Sequence, residues 1–272
     1  RDSSTSRGLG DVYKRQNKDI KDFIDGLELI DESACISLDA KWGDGKTFFV
    51  RQIEEVLKYV LANQRADEEN PIEKLPSYEY LKDNEMMAKI DLKHSYLPIY
   101  YNAWMYDNHS DPLMSLLLVM TKTCRGVYDT KIDSEKISKK LVEALATLPI
   151  SLGEFKANPF TAIEKLQGKS MDILSLVQTE EEIRERVKGI FNDIIVERAQ
   201  KLVIFIDELD RCRPSFAIEM LERIKHYFDD ERVIFVVSLN KEQLIHTITN
   251  YYGSGFDATR SVSYTHLRAH ET

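Results

Sequence analysis

The stretch from Ile36 to Thr47, Ile-Ser-Leu-Asp-Ala-Lys-Trp-Gly-Asp-Gly-Lys-Thr, constrains the fold more than any other part of the chain. A short apolar approach leads into a loop of small residues and then Gly-Lys-Thr. Phe48-Phe49-Val50-Arg51-Gln52-Ile53 follows with helical patterning. The order is therefore strand, loop, helix. In such a loop successive backbone N–H groups point at phosphate oxygens, and the positive end of the next helix dipole adds to them. Lys46 is placed to reach the outer phosphates of a nucleotide, and the Thr47 hydroxyl to sit on Mg²⁺. Lys41, Trp42, Gly43, Asp44, Gly45 and Phe48 complete the candidate nucleotide-binding set. The first position of the G-x-x-x-x-G-K-T pattern is Ala40 rather than Gly. Gly43 and Gly45 still permit the tight turn and the close backbone approach.

Composition narrows the remaining choices. With 272 residues the chain can form one large α/β domain or two small ones, and with 43% of them hydrophobic and 10% aromatic it has ample material for a core and little sign of disorder. A formal charge of −9 makes a nucleic-acid surface a poor default, though a local basic patch is still compatible with it. Cys35, Cys124 and Cys212 show no metal-ligand spacing, so reduced thiols in a cytoplasmic protein are expected. Leu113 to Met120 is the longest apolar candidate. It contains Ser115 and falls far short of the ~20 residues that span a bilayer, so no membrane span is expected in the visible chain. Residues 1–16 and 261–272 carry no apolar periodicity and resemble translated adapter sequence, so both are expected to be foreign tails flanking a domain over 17–260.

Between the tails, strands alternate with helices. Ala34 to Leu38, Leu97 to Tyr101, Leu202 to Ile206 and Val233 to Leu239 read as buried strands. Helices are predicted for Phe48 to Leu61, for Pro112 to about Val127, from Pro214, and from Lys241 to about Tyr251. Ala217, Met220, Leu221, Ile224 and Phe228 form the inner face of the third of these. Glu180 to Arg198 has a clear helical stripe, and residues 131–178 read as two or three helices, so 131–198 is expected to be a helical insertion. Such alternation predicts a parallel sheet with helices on its faces.

A second constellation closes the third strand: Ile206-Asp207-Glu208-Leu209-Asp210-Arg211. A carboxylate at a strand end can hold the Mg²⁺ shell while the next acid polarises a water, which assigns the metal to Asp207 and the general base to Glu208. Asp210 is a second acid near the metal or an arginine partner. Arg211 and Arg213 either supply charge to a transition state or pair with nearby acids. Asn240 (or Ser238) ends the fourth strand, where a polar tip can sense the nucleotide; Asn240 equally suits the N-cap of the next helix.

These motifs together resemble the KAP family of P-loop NTPases over most of residues 20–260. The resemblance lies in Lys41-Trp42-Gly43-Asp44-Gly45-Lys46-Thr47, in Tyr101-Asn102-Ala103-Trp104-Met105-Tyr106, and in the block Ile206 to Pro214. It implies a three-layer α/β sandwich with a parallel sheet of the additional-strand type, helical insertions, and ATP with Mg²⁺ as ligands. Lys46, Asp207 and Glu208 would be catalytic, Thr47 and Asp207 would hold the metal, and Asn240, Asp210 and Arg211 would act as sensors. Departures are Ala40, Tyr101 where Phe is usual, and Asn240 where an acid is common. The likeness also predicts that the C-terminal edge strand and helical part are missing, replaced by the foreign tail. Trp104 reads either as a core aromatic bridging strand and helix, the favoured use, or as part of the nucleotide side through Asn102.

The implied function is an ATPase acting as a conformational switch. Prokaryotic members are suspected in phage exclusion, so defence or signalling is the expected setting. A nucleotide-gated protein-binding scaffold with negligible hydrolysis is the alternative, with the helical insertion docking a protein partner or a second copy.

Overall fold

The computed structural model describes residues 17–65, 81–82, 84–109, 111–126, 185, 188–189, 192, 199–227 and 230–263. Four strands form one sheet: β1 (Ala34–Asp39), β2 (Tyr96–Asn102), β3 (Lys201–Asp207) and β4 (Val233–Leu239). Their order is β1-β4-β3-β2, and every neighbouring pair is parallel. β4 therefore lies between the strand that enters the glycine loop and the strand that ends in acids, as the additional-strand expectation requires. Each predicted strand is present, and its limits move by one residue at most at either end.

β3 and β4 are buried along their whole length. Their unbroken apolar runs follow from this, because side chains alternate between two covered faces. On one face Val203, Phe205, Ile234 and Val236 pack with Val50, Ile53, Val56 and Leu57 of α2 (Lys46–Gln64) and with Ile20, Ile24 and Leu27 of the helix α1 over 17–27. On the other, Leu202, Ile204, Ile206, Phe235 and Val237 pack with α3 (Pro112–Gly126), α4 (Pro214–Tyr227), α5 (Lys241–Tyr252) and α6 (Ala258–Ser263). The result is three layers. Among the described residues β1 is the edge of the sheet, and Ala34 to Leu38 are only half-buried.

Local chemistry fixes the helix ends. Pro214 opens α4, where its fixed φ suits the first turn and its missing N–H costs nothing. Ala217, Met220, Leu221 and Ile224 turn inward as the spacing predicts; Phe228 lies outside the described residues. Asp111 Oδ1 accepts the Leu113 N–H at 2.8 Å at the start of α3. Asn240 Oδ1 accepts the Gln243 N–H at 3.1 Å, so this residue caps α5. Of the expected insertion over 131–198, only 185, 188–189 and 192 are described, and all four are helical. α6 was not expected. It places Val262 fully in the core, inside the stretch read as a foreign tail.

No helix among the described residues is long and apolar enough to cross a membrane. Cys35 and Cys212 are free thiols, and burial pushes Cys35 up to about 12, so it stays protonated at neutral pH. Cys212 is raised for the same reason.

Asp230, just before β4, is held below its ordinary value of 3.8, first by the hydrogen bond from Arg232 at 2.7 Å. Folding therefore favours its ionised form, and that contribution is present at neutral pH and lost as pH falls through the lowered value. In urea unfolding, Asp230→Asn should be less stable than the unaltered chain at pH 7. The gap should close as pH drops below 3.8.

Candidate nucleotide-binding site

The C-terminal ends of the parallel strands lie along one edge of the sheet, and the loop between β1 and α2 sits there. Gly43 (φ 89°) and Gly45 (φ 83°) both take the left-handed conformation that only glycine adopts without strain. Nothing lies within 4 Å of where a Cβ would stand on either, so the loop is open toward the space it surrounds. Asp44 Oδ2 accepts the Lys41 N–H at 3.0 Å and closes the turn. Lys46 Nζ folds back over the loop, donating to the carbonyls of Ala40 at 2.5 Å and Lys41 at 3.0 Å. The Ala40 N–H bonds the Leu239 carbonyl at 3.3 Å, tying the loop to the end of β4. Ala40 thus occupies the first loop position without disturbing the turn.

The acids meet this loop across a cavity of about 510 Å³. Lys41, Trp42, Gly43, Gly45, Lys46, Thr47 and Phe48 line one side; Asp207, Glu208, Asp210 and Arg211 line the other. Asp44 faces the turn instead, and Asn240 is likewise not part of the lining. The structure thus brings together residues more than 150 positions apart in sequence, as the two motifs predicted.

Each acid is differently engaged. Asp207 is buried; Oδ1 accepts the Glu208 N–H at 2.9 Å and Oδ2 accepts the Tyr100 hydroxyl at 2.9 Å. Glu208 has φ 60°, the one positive-φ residue besides glycines among the described residues, a conformation disfavoured for a side chain with a Cβ. Its two carboxylate oxygens are both held, Oε2 by Asn102 Nδ2 at 2.9 Å and Oε1 by Arg211 Nη1 at 2.9 Å. Asp210 Oδ2 accepts the Trp42 indole N–H at 2.5 Å, a direct link between the loop and the acidic block. Arg213 pairs with Asp107 rather than reaching the cavity.

Two residues that the motifs did not flag belong to this site. Arg51 lines the cavity, four positions beyond Thr47 and so one turn further along α2. Its guanidinium lies 3.4 Å from the centre of the Tyr100 ring. Tyr100 stands two positions before Asn102 on β2, hence on the same face. That period of two was the signal available in the sequence. Trp104 departs from the favoured expectation of core packing. It is 55% exposed, on the short 3₁₀ turn Ala103–Tyr106, with the Arg211 guanidinium 5.8 Å from its ring centre. Asn102 spends its Oδ1 on the Met105 N–H at 3.1 Å, which starts that turn at the strand end and carries the ring past the sheet layer. Tyr101 has a reason to be Tyr: its hydroxyl shares a 2.6 Å hydrogen bond with buried Ser115.

Whether Mg²⁺ suits these residues can be judged from the donors present. Among the described residues no group of three His, Cys, Asp or Glu could hold an ion on its own. Mg²⁺ characteristically takes one or two protein oxygens and completes its shell with water and substrate phosphate. Thr47 and Asp207, both on the cavity wall, fit that requirement.

A parallel α/β sheet with a glycine-rich loop between its first strand and helix, facing acids at the end of another strand, defines a P-loop nucleotide-binding domain. The KAP family P-loop domain matches residues 13–266, and the chain belongs to that family. An uncharacterised protein of Methanocaldococcus jannaschii is 26% identical over 173 residues, 52% of this chain and 89% of that protein. Among solved structures, a Walker-type ATPase of Pyrococcus abyssi is similar at 10% identity with a TM-score of 0.23. That match covers 59% of this chain and 39% of the ATPase chain.

The loop's backbone sets a stability prediction. Gly45→Ala meets no obstruction but must hold φ near +83°, and should lose about 1–2 kcal/mol in urea unfolding. Gly26→Ala also meets no obstruction, lies in α1 without positive φ, and should gain about 0.5–1 kcal/mol.

Proposed function

We propose that this domain binds ATP with Mg²⁺ between the loop and the acidic strand end, and hydrolyses it as a conformational switch. The observation that carries the reading is that Lys46 and Thr47 share one cavity with Asp207 and Glu208. Loop N–H groups and Lys46 hold the β- and γ-phosphates, for which Lys46 must leave the carbonyls of Ala40 and Lys41. Mg²⁺, when bound, neutralises charge on those phosphates. Thr47 and Asp207 supply the protein oxygens toward it. Glu208 takes a proton from a water whose oxygen bonds to the γ-phosphorus as the bond to the bridging oxygen breaks, leaving ADP and phosphate. Asn102 and Arg211 each hold one Glu208 oxygen and weaken it as a base, so hydrolysis in this reading is favoured by a loosening of these contacts at the ends of β2 and β3. Arg211, once released, is free to face developing charge on the phosphate. Asn240 is the sensor candidate with the least support, since its carboxamide oxygen caps α5.

The domain proposed to carry this out starts at 17 and runs past the expected limit of 260 to take in α6 with its buried Val262, and 131–198 is proposed to dock a protein partner or a second copy. Signalling or defence against phage rests on family likeness alone. A second reading, a nucleotide-gated scaffold with negligible turnover, is favoured by one observation: both oxygens of the candidate base are held in ion-pair and amide contacts.

Two variants separate these readings. Lys46→Ala should abolish ATP binding under either. Glu208→Gln should bind ATP as tightly as the unaltered chain while phosphate release falls by about 10²–10⁴-fold. Undiminished release from Glu208→Gln would show that Glu208 is not the base, and negligible release from the unaltered, ATP-binding chain would favour the scaffold.

A further inference from the structure

We propose that Tyr100 is a positioning residue for Asp207: its hydroxyl holds the carboxylate in the orientation that receives a hydrated divalent cation on the nucleotide phosphates. The inference rests on the nucleotide-and-metal reading above and adds to it a residue that neither sequence motif contains.

The carboxylate of Asp207 is clamped from two directions. Glu208 N–H donates to Oδ1 and Tyr100 O–H to Oδ2, each at 2.9 Å. A carboxylate oxygen accepts about two hydrogen bonds, so each keeps one vacant acceptor position. Rotation of the carboxylate breaks both bonds at once. The backbone donor cannot be removed by side-chain substitution, so Tyr100 is the adjustable half of the clamp.

The ring that carries this hydroxyl is itself held in place. β2 pairs with β3 so that Tyr100 stands opposite Phe205, and Asn102 opposite Asp207. The hydroxyl thus reaches two positions along to the acid. Above the ring, the Arg51 guanidinium sits 3.4 Å from its centre, an arrangement that attracts electrostatically. Arg51 is fixed in turn by buried Glu54 at 2.7 Å, which also takes Lys58 at 2.7 Å. The chain of contacts runs from α2, the helix that follows the phosphate loop, through the ring to Asp207. Groups that orient metal-binding carboxylates matter to affinity nearly as much as the carboxylates do.

Tyr101 supplies a comparison from the adjacent position. It is also a strand tyrosine with a buried hydroxyl, but it bonds Ser115 on the opposite face of the sheet. Loss of either hydroxyl removes one hydrogen bond; only one of them touches Asp207.

The test measures Mn²⁺ binding by electron paramagnetic resonance to the whole chain loaded with a non-hydrolysable ATP analogue. Tyr100→Phe keeps the ring and its contact with Arg51. It should weaken Mn²⁺ binding about tenfold while leaving analogue affinity in EDTA unchanged. Tyr101→Phe should leave Mn²⁺ binding unchanged. Unchanged Mn²⁺ affinity in Tyr100→Phe, or equal weakening in Tyr101→Phe, overturns the assignment while leaving the nucleotide reading intact. Failure of the unaltered chain to bind the analogue or Mn²⁺ overturns both.

Discussion

The parallel pairing of β3 with β2 on one side and β4 on the other is the constraint on which the cavity depends. Its register places Asn102 beside Asp207 and Tyr100 beside Phe205, so the side chains that hold the two acids come from a strand about a hundred residues earlier. It also spaces β3 from β1 by one strand, and that gap is where the loop and the acids face each other. The pairing persists because β3 and β4 are apolar on both faces, and a slip by one residue would exchange their packing partners between the two helical layers.

Around that frame, charge is spent locally. The two strongest catalytic candidates are both held by neighbouring groups: Lys46 by backbone carbonyls, Glu208 by Asn102 and Arg211. Glu208 also holds a left-handed backbone, a strain that only surrounding contacts can maintain. Contacts of this kind suit a site that rearranges when its ligand arrives. Trp42 bonded to Asp210 ties the loop side of the cavity to its acidic side.

The strands, the loop and the acidic block were legible in the sequence because each is a local pattern. An apolar run of five to seven residues, glycines ahead of Lys-Thr and consecutive acids after a strand need no knowledge of the rest of the chain. Asn240 as a cap was legible on the same terms. The pairs Tyr100–Asp207, Asn102–Glu208 and Trp42–Asp210 were not, since each depends on strand order and register that periodicity does not encode. Trp104 misled for a related reason. An aromatic just past a buried strand reads as core, but the turn begun by Asn102 carries it beyond the layer that would cover it. The additional-strand order came from likeness to a family, and the pairing of β4 with both β1 and β3 bears it out.

The central claim is that loop and acids form one nucleotide site. The chain has two tryptophans, Trp42 on the cavity wall and Trp104 outside it. The direct measurement is therefore a fluorescence titration of Trp104→Phe with ATP, with and without Mg²⁺. The account predicts a saturable change in Trp42 emission that tightens when Mg²⁺ is present. Emission that stays flat to millimolar ATP under both conditions would contradict it.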